Sequence, residues 1–144
     1  MFITNQLRQE VDKYLRTIDQ RADWLQTARA WTDDEWDETR MWAAERALHV
    51  AVECVTDAAN LVIDALVMRE PGGYADIVRV IMEEGVVGKA WFEEFEGILA
   101  FRNRLARGYT DLSMADVVSA VRTYGGLFRP FTASMRSYLD ISST

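Results

Sequence analysis

The segment Phe101-Arg102-Asn103-Arg104-Leu105-Ala106-Arg107-Gly108-Tyr109 places three arginines within six residues of an otherwise acidic chain. Upstream of it, apolar side chains recur at three- and four-residue steps, the period of a helix with one buried face. They are Trp91, Phe92, Phe95, Ile98, Leu99 and Phe101. Gly108 can leave helical dihedral space without a Cβ clash, so we predict a helix from about Lys89 to Arg107. Its arginines then lie on the last turn, where they also stabilise the helix dipole, and capping is the alternative to a functional role.

The arginine segment contains a spaced motif: Arg102, four residues, Arg107, one residue, Tyr109. This spacing resembles the Arg-x4-His-x-Tyr signature of HEPN-domain proteins, specifically the HepT-like ribonuclease toxins that are encoded with minimal nucleotidyltransferase antitoxins. The flanking Phe101-Arg102-Asn103-Arg104-Leu105 is similar to that family's Phe-Arg-Asn-x-Leu. One position departs from the signature, because Arg107 stands where the family has histidine.

Two further segments extend the resemblance over most of the chain, from about Glu38 to Leu112. The range from Ala43 to Ala65 resembles the family's second helix, and Pro71 to Asp76 resembles the turn before its third. The resemblance implies a HEPN-like fold that acts as a homodimer, with the motifs of both copies lining a cleft where RNA is cut without a metal.

The resemblance also implies roles for the motif residues. Arg102 would stabilise negative charge on the phosphate, and the residue at the histidine position would move a proton between the 2′-hydroxyl and the leaving oxygen. Arg107 cannot carry that proton, because a guanidinium stays protonated up to a pH of about 12. With Arg102, Arg107 and Asn103 as candidate catalytic residues, we expect a slowed endoribonuclease. The alternative is a non-catalytic helical module that binds nucleotide or a nucleotidyltransferase partner.

Tyr109 matches the tyrosine that, in the HepT-like family, the partner nucleotidyltransferase adenylylates to silence the toxin. The resemblance therefore implies Tyr109 as a modification site and a minimal nucleotidyltransferase antitoxin as a partner. A tyrosine that only packs beside the helix end is the alternative. Arg104, with Asp57 and Asn60 from the second helix, completes the predicted RNA-binding set.

The second helix carries a polar stripe in an otherwise apolar segment. His49, Glu53, Asp57, Asn60 and Asp64 are spaced by four, four, three and four residues, which places them along one face. We predict that Asp57 or Asn60 orients Arg102 across a cleft, since both lie in the segment that resembles the family. For His49 and Glu53, the solvated side of an amphipathic helix is the preferred interpretation, although His49 is a possible substitute for the missing motif histidine.

The chain is predicted to be all-α, because long stretches lack proline and glycine and no strand-length alternation is present. The first predicted helix covers about 5–28. The second starts at or after the capping box Thr32-Asp33-Asp34-Glu35 and ends near Met68. The third covers 74–84 and ends at Gly85. Beyond 89–107, a fifth helix starts at Ser113, and Gly125-Gly126 and Pro130 should break or kink it. The range 127–139 packs as a further helical segment, and 141–144 is expected to fray. We therefore predict one antiparallel bundle of about five helices, with residues 1–144 as a single domain.

Composition narrows the function classes. The 144 residues are 49% hydrophobic and 27% charged, as in an ordinary globular protein. The net charge of -7 argues against diffuse binding to nucleic acid, so any RNA site must be local. No run of about 20 apolar residues predicts a membrane span, and the amino terminus lacks signal-peptide features, so a cytoplasmic protein without membrane contact is expected.

The sequence contains no pattern that indicates a metal site or a cofactor site. The single histidine, His49, and the single cysteine, Cys54, give neither zinc-ligand spacing nor a nucleophile with its base. Cys54 is expected to be a small buried hydrophobe. The acid pairs Glu83-Glu84 and Glu93-Glu94 are adjacent in helices and point about 100° apart, which indicates a solvated face. No metal and no cofactor are predicted.

Overall fold

Six α-helices form the fold in the computed structural model, which describes residues 2–142. In chain order they are α1 (Asn5–Arg29), α2 (Glu38–Ala65), α3 (Ile77–Glu83), α4 (Lys89–Ala106), α5 (Met114–Tyr124) and α6 (Phe128–Leu139). Short 3-10 turns at Asp33–Glu35, Tyr74–Asp76 and Tyr109–Asp111 precede α2, α3 and α5. The all-α prediction is confirmed, and the predicted further segment at the carboxyl end is the sixth helix.

Helix α6 runs antiparallel to α1, as their ion pairs and hydrogen bonds show. Arg8, near the start of α1, donates from Nε to the carbonyl oxygen of Leu139 at 2.7 Å, at the end of α6. Asp23, near the end of α1, pairs with Arg129 at the start of α6. Between them, Asp19 binds Arg136 at 2.8 Å. The carboxyl-terminal helix is thereby fixed along the length of the first.

Helix α2 is the central element, since it contacts α1, α3, α4 and α5. Its buried side chains include several alanines, whose small size lets neighbouring helices approach closely. These are Ala44, Ala47, Ala51, Ala58 and Ala59. Cys54 is buried in the same helix, as predicted. The largest fully buried side chains come instead from α4 and α6, and they are Phe95, Phe128 and Phe131.

The predicted capping box is present, but it caps a 3-10 turn instead of α2. The Thr32 backbone N–H donates to the Glu35 carboxylate at 3.0 Å, and the turn ends at Trp36. Trp36, the residue after the turn, has an extended backbone and is only 7% exposed, and its ring packs edge-on against Trp31 at 5.1 Å. Helix α2 starts one turn later, where the Asp37 side chain accepts from the backbone N–H of Arg40 at 2.8 Å.

Other predicted boundaries shift for local reasons. Gly125-Gly126 separates α5 from α6 as expected, but Pro130 does not break a helix. It lies in the first turn of α6, where its missing N–H would have had no intrahelical partner. Helix α2 ends at Ala65, three residues before the predicted Met68, and α3 starts only after the turn at Tyr74–Asp76.

Two glycines were expected to stop helices, and they do so differently. Gly85 follows α3 with a φ of 79°, the left-handed conformation that glycine favours at this position. Helix α4 ends at Ala106 with Arg107 as its cap residue, while Gly108 has a φ of -102°. The end of α4 is therefore where the sequence predicted it, but it does not require the positive φ of a glycine.

Within residues 2–142, none of the helices combines the length and the apolar character needed to cross a membrane.

We predict that Gly85→Ala lowers the free energy of unfolding by about 1–2 kcal/mol, because alanine in the left-handed region brings its Cβ against the following carbonyl. Gly73→Ala is the matched control, since Gly73 is in a turn with extended φ and has open space around its Cα. Its expected change is below about 0.5 kcal/mol. Denaturant unfolding of both variants measures the difference, and equal stabilities would contradict the prediction.

Candidate functional site

Arg102 of α4 is held by two side chains from other parts of the bundle. Its Nε donates to the Glu53 carboxylate of α2 at 2.7 Å. Its guanidinium carbon lies 4.1 Å from the centre of the Tyr74 ring, a cation–π geometry. The Arg102 side chain is 22% exposed. The motif arginine is thus oriented from both sides while part of it still faces solvent.

Glu53 organises this cluster through one carboxylate oxygen. Besides Arg102, its Oε1 accepts a hydrogen bond from the Tyr74 hydroxyl at 3.3 Å. The Nε2 of His49, one turn earlier in α2, lies 3.6 Å from the same oxygen. That distance exceeds a hydrogen bond but is an ion-pair distance when the imidazole is protonated. His49, Glu53, Tyr74 and Arg102, which we call the Glu53 cluster, come from α2, the turn before α3, and α4.

The local environment shifts the pKa values of two residues of this cluster and of one neighbouring acid. Burial is the main cause that raises the pKa of Tyr74 to about 12, and the negative charge of Glu53 adds to it. The hydrogen bond to Glu53 raises the pKa of Arg102 further above its already high ordinary value. Burial, and then the charge of Glu53 one turn away, raise the pKa of Asp57. Arg102 is therefore a fixed cation next to a phenol that stays neutral.

The carboxylate that orients Arg102 lies on a different turn of α2 from the one predicted. We expected Asp57 or Asn60, but Glu53 makes the contact, while Asp57 is exposed and Asn60 is half-buried. A solvated face was the preferred interpretation for Glu53 and His49, but Glu53 binds the motif arginine, and His49 lies 3.6 Å from the same Glu53 oxygen. The signal in the sequence was their spacing of four residues, which places the lone histidine beside an acid. Which turn of α2 faces Arg102 depends on how α4 crosses it, and helix period does not contain that information.

The remaining predicted site residues lie around the end of α4. Arg104 forms an ion pair with Asp116 of α5 at 2.7 Å, so it joins two helices. Asn103 is exposed, and its backbone carbonyl accepts from the N–H of Arg107 at 2.9 Å. Arg107 is exposed, and Tyr109 is 62% exposed in the following 3-10 turn. The structure thus brings Arg102 together with α2, and presents Arg107 and Tyr109 to solvent. The predicted catalytic, RNA-binding and modification roles stay predictions.

Among the described residues, no group of three or more histidine, cysteine or acidic side chains is placed to hold a metal ion. The chemistry that the Glu53 cluster offers is that of an oriented cation, a carboxylate and an imidazole. A guanidinium matches the geometry of a phosphate through paired N–H donors, and an adjacent imidazole can move protons near neutral pH. The arrangement is therefore suited to binding and polarising a phosphodiester.

An antiparallel helical bundle with the Arg-x4-Arg-x-Tyr motif at the end of its fourth helix defines the class as a HEPN-type helical domain. The chain matches the family described as Ribonuclease HepT-like over residues 9–135, which is most of its length. The chain therefore belongs to the HepT-like ribonuclease family, which confirms the resemblance and supports a ribonuclease-type function.

Two comparisons with one Bacillus subtilis protein agree with this assignment. The chain is 30% identical over 98 residues to "Putative RNase YutE" of Bacillus subtilis (strain 168), and the match covers 68% of each protein. It is also similar to the solved structure of YutE, described as a cytosolic protein of unknown function. That comparison has a TM-score of 0.84 and 24% sequence identity, and covers 100% of this chain and 99% of the other. At that identity the structural likeness establishes the shared fold.

We predict that Tyr74 ionises at a pH of about 12, because burial and Glu53 both disfavour its phenolate. An unfolded tyrosine ionises near pH 10, so this residue makes the free energy of unfolding fall as the pH rises from about 10 to about 12. Absorbance titration of the phenolate tests this, with Tyr74→Phe as control. Loss of a late-titrating phase in that variant is the expected result. If Tyr74→Phe instead loses one group that titrates near pH 10, and the rest of the curve matches that of the parent, the prediction is wrong.

Proposed function

We propose that this protein is a HepT-like toxin that cleaves RNA without a metal, at a cleft between two copies of the chain. The observation that supports it best is the geometry at Arg102. A half-buried guanidinium fixed by Glu53 and stacked on Tyr74 is preorganised to stabilise charge on a phosphate. Solvent reaches part of the side chain, so a phosphodiester has access.

The charge distribution agrees with a local RNA site. The chain as a whole carries a net charge of -7, which repels a polyanion. Arg102, Arg104 and Arg107 are grouped on the last turn and cap of α4, where Arg107 is exposed. In a homodimer, two such helix ends would face one groove and double the local positive charge. RNA binding would then depend on assembly and be sensitive to salt.

Arg107 limits the expected rate. It can bind phosphate but cannot exchange a proton, and general acid–base help is typically worth about 100- to 10,000-fold. Asn103 is exposed next to Arg102 and can contribute a polar contact to the sugar or phosphate. Asp57 and Asn60 follow the Glu53 cluster along α2 and can extend RNA contacts. We therefore infer a slow enzyme whose binding function is better preserved than its chemistry.

Regulation by a minimal nucleotidyltransferase is the second part of this proposal. Adenylylation requires a tyrosine hydroxyl that a partner's active site can reach, and Tyr109 is 62% exposed in the turn after α4. An AMP group there would add negative charge and bulk beside Arg107. Both changes oppose the entry of RNA, which gives a physical reason for silencing.

A non-catalytic module that binds nucleotide or the nucleotidyltransferase is the alternative. Two of the three arginines in the segment already have carboxylate partners within the chain, since Arg102 pairs with Glu53 and Arg104 with Asp116. Together with the replacement of the motif histidine by Arg107, these pairs favour an architectural role for the helix end.

We predict that the purified protein cleaves single-stranded RNA in the presence of EDTA, and that Arg102→Ala slows cleavage by about 100-fold or more. The matched control is Arg129→Ala, which removes an exposed arginine of α6 whose ion-pair partners, Asp19 and Asp23, lie on α1. We expect the control to keep the parent rate. Equal and negligible rates for the parent and Arg102→Ala would exclude nuclease action by this motif and favour the non-catalytic module.

We predict that incubation with ATP and a minimal nucleotidyltransferase encoded next to the gene adds one AMP to Tyr109. Intact-mass and peptide mass spectrometry locate the modification. Tyr109→Phe should abolish the mass gain, whereas Tyr138→Phe, which changes a less exposed tyrosine of α6, should not. A mass gain that persists in Tyr109→Phe, or none in the parent, would remove the regulatory part of the proposal.

A further inference from the structure

The position of the only histidine in the chain suggests how proton transfer can survive the loss of the motif histidine. His49 lies on α2, far from Arg107 in sequence, yet its Nε2 is 3.6 Å from the Glu53 oxygen that binds Arg102 at 2.7 Å. The imidazole and the motif guanidinium therefore cannot be farther apart than those two distances taken together. The His49 side chain is 26% exposed and that of Arg102 is 22% exposed, so solvent reaches both groups.

We propose that His49 is the catalytic residue that moves the proton in RNA cleavage, with Glu53 as the carboxylate that orients it. This inference rests on the proposed ribonuclease function and adds a residue that the Arg-x4-Arg-x-Tyr motif lacks. The arrangement has the logic of an imidazole positioned by an acid and placed next to an oxyanion-stabilising group. Since Nε2 faces Glu53, the other ring nitrogen, Nδ1, is the one that can reach the substrate.

The proposed step balances as a transesterification. Nδ1 of neutral His49 accepts the proton of the ribose 2′-hydroxyl while the 2′-oxygen forms a bond to phosphorus. The bond from phosphorus to the 5′-oxygen breaks, and that oxygen takes a proton from water or from an imidazolium. Arg102 stabilises the negative charge on the non-bridging oxygens. The products are a 2′,3′-cyclic phosphate and a 5′-hydroxyl, and no metal or oxidant is needed.

Several charged or titratable groups lie near His49. Glu53 lies one turn after it in α2, and Arg102 reaches the same carboxylate from α4. Glu45, one turn before His49, is half-buried, and burial raises its pKa. Tyr74, from the turn before α3, stays neutral and adds no charge below a pH of about 12. Histidine as a residue type changes charge between pH 5 and 8, so the rate should respond to pH in that range.

The test is a pH–rate profile of RNA cleavage by the full chain, with a short labelled single-stranded oligoribonucleotide and after subtraction of the uncatalysed rate. We expect the parent rate to rise from about pH 5 and level off above about pH 7. His49→Gln should lose about 100- to 10,000-fold in kcat with a small change in KM, and should no longer show the rise. Asp64→Asn, an exposed acid on the same face of α2, is the control and should match the parent.

A second measurement separates chemistry from folding. His49→Ala should regain cleavage when free imidazole is added, whereas Arg102→Ala should not. If His49→Gln keeps the parent rate and pH profile while Arg102→Ala is inactive, the role of His49 is refuted and the proposed ribonuclease function stands. If the parent itself cleaves no RNA, both fail. If His49→Ala is inactive and imidazole does not restore it, His49 acts through structure and the proposal is overturned.

Discussion

The contact on which the site depends is the ion pair between Glu53 of α2 and Arg102 of α4. A guanidinium that leaves bulk water needs a hydrogen-bonded counter-charge, and Glu53 supplies it from the central helix at 2.7 Å. The face of Tyr74 covers the other side of the cation. Because Glu53 also binds the Tyr74 hydroxyl, three separate segments of the chain converge on one carboxylate oxygen. Removing that charge would loosen all of them at once.

Ion pairs in the rest of the bundle serve a different purpose. Those of α1 with α6 align two helices along their length, and Arg104 with Asp116 joins the end of α4 to the start of α5. The pairs of Arg129 with Asp23 and Arg104 with Asp116 are the more exposed ones, and each contributes on the order of 1 kcal/mol or less. The Arg136–Asp19 pair is less than a fifth exposed. Beneath them lies one apolar core, in which α2 supplies small side chains and α4 and α6 supply aromatic rings. The core fixes the crossing of α2 and α4, and the crossing brings Glu53 to Arg102.

The replacement of the motif histidine by Arg107 assigns the proposed phosphate contact and the proposed proton transfer to different residues. The end of α4 keeps its cations, and the exposed Tyr109 follows it, so the proposed phosphate binding and the proposed modification do not need the missing histidine. The proposed proton transfer needs an imidazole, and the only one in the sequence, His49, lies near the Glu53 oxygen that binds the motif arginine. The proposed function therefore takes one of two forms: phosphate binding with a weakened reaction, or RNA cleavage in which the acid–base group comes from α2 instead of α4.

The sequence by itself determined the helical class, most of the helix boundaries and the family. Apolar spacing of three and four residues, with few prolines and glycines, leaves no other regular structure for segments such as 89–106. The resemblance to the family follows from the spacing between Arg102 and Tyr109, which can be read from the sequence without any knowledge of how the helices pack. The capping box at Thr32 marked the region where α2 could begin, but the sequence left the start of the helix open, and it lies after the extended residue Trp36.

Only the tertiary structure decided which residues surround Arg102. Glu53, Asp57 and Asn60 share one face of α2, so helix period alone cannot choose among them. Which of the three contacts Arg102 depends on the position along α2 at which α4 crosses it, and packing of the core sets that position. The Tyr74 ring and the lone imidazole of His49 enter the site for the same reason, because contacts between residues distant in the chain are fixed by packing and not by local sequence.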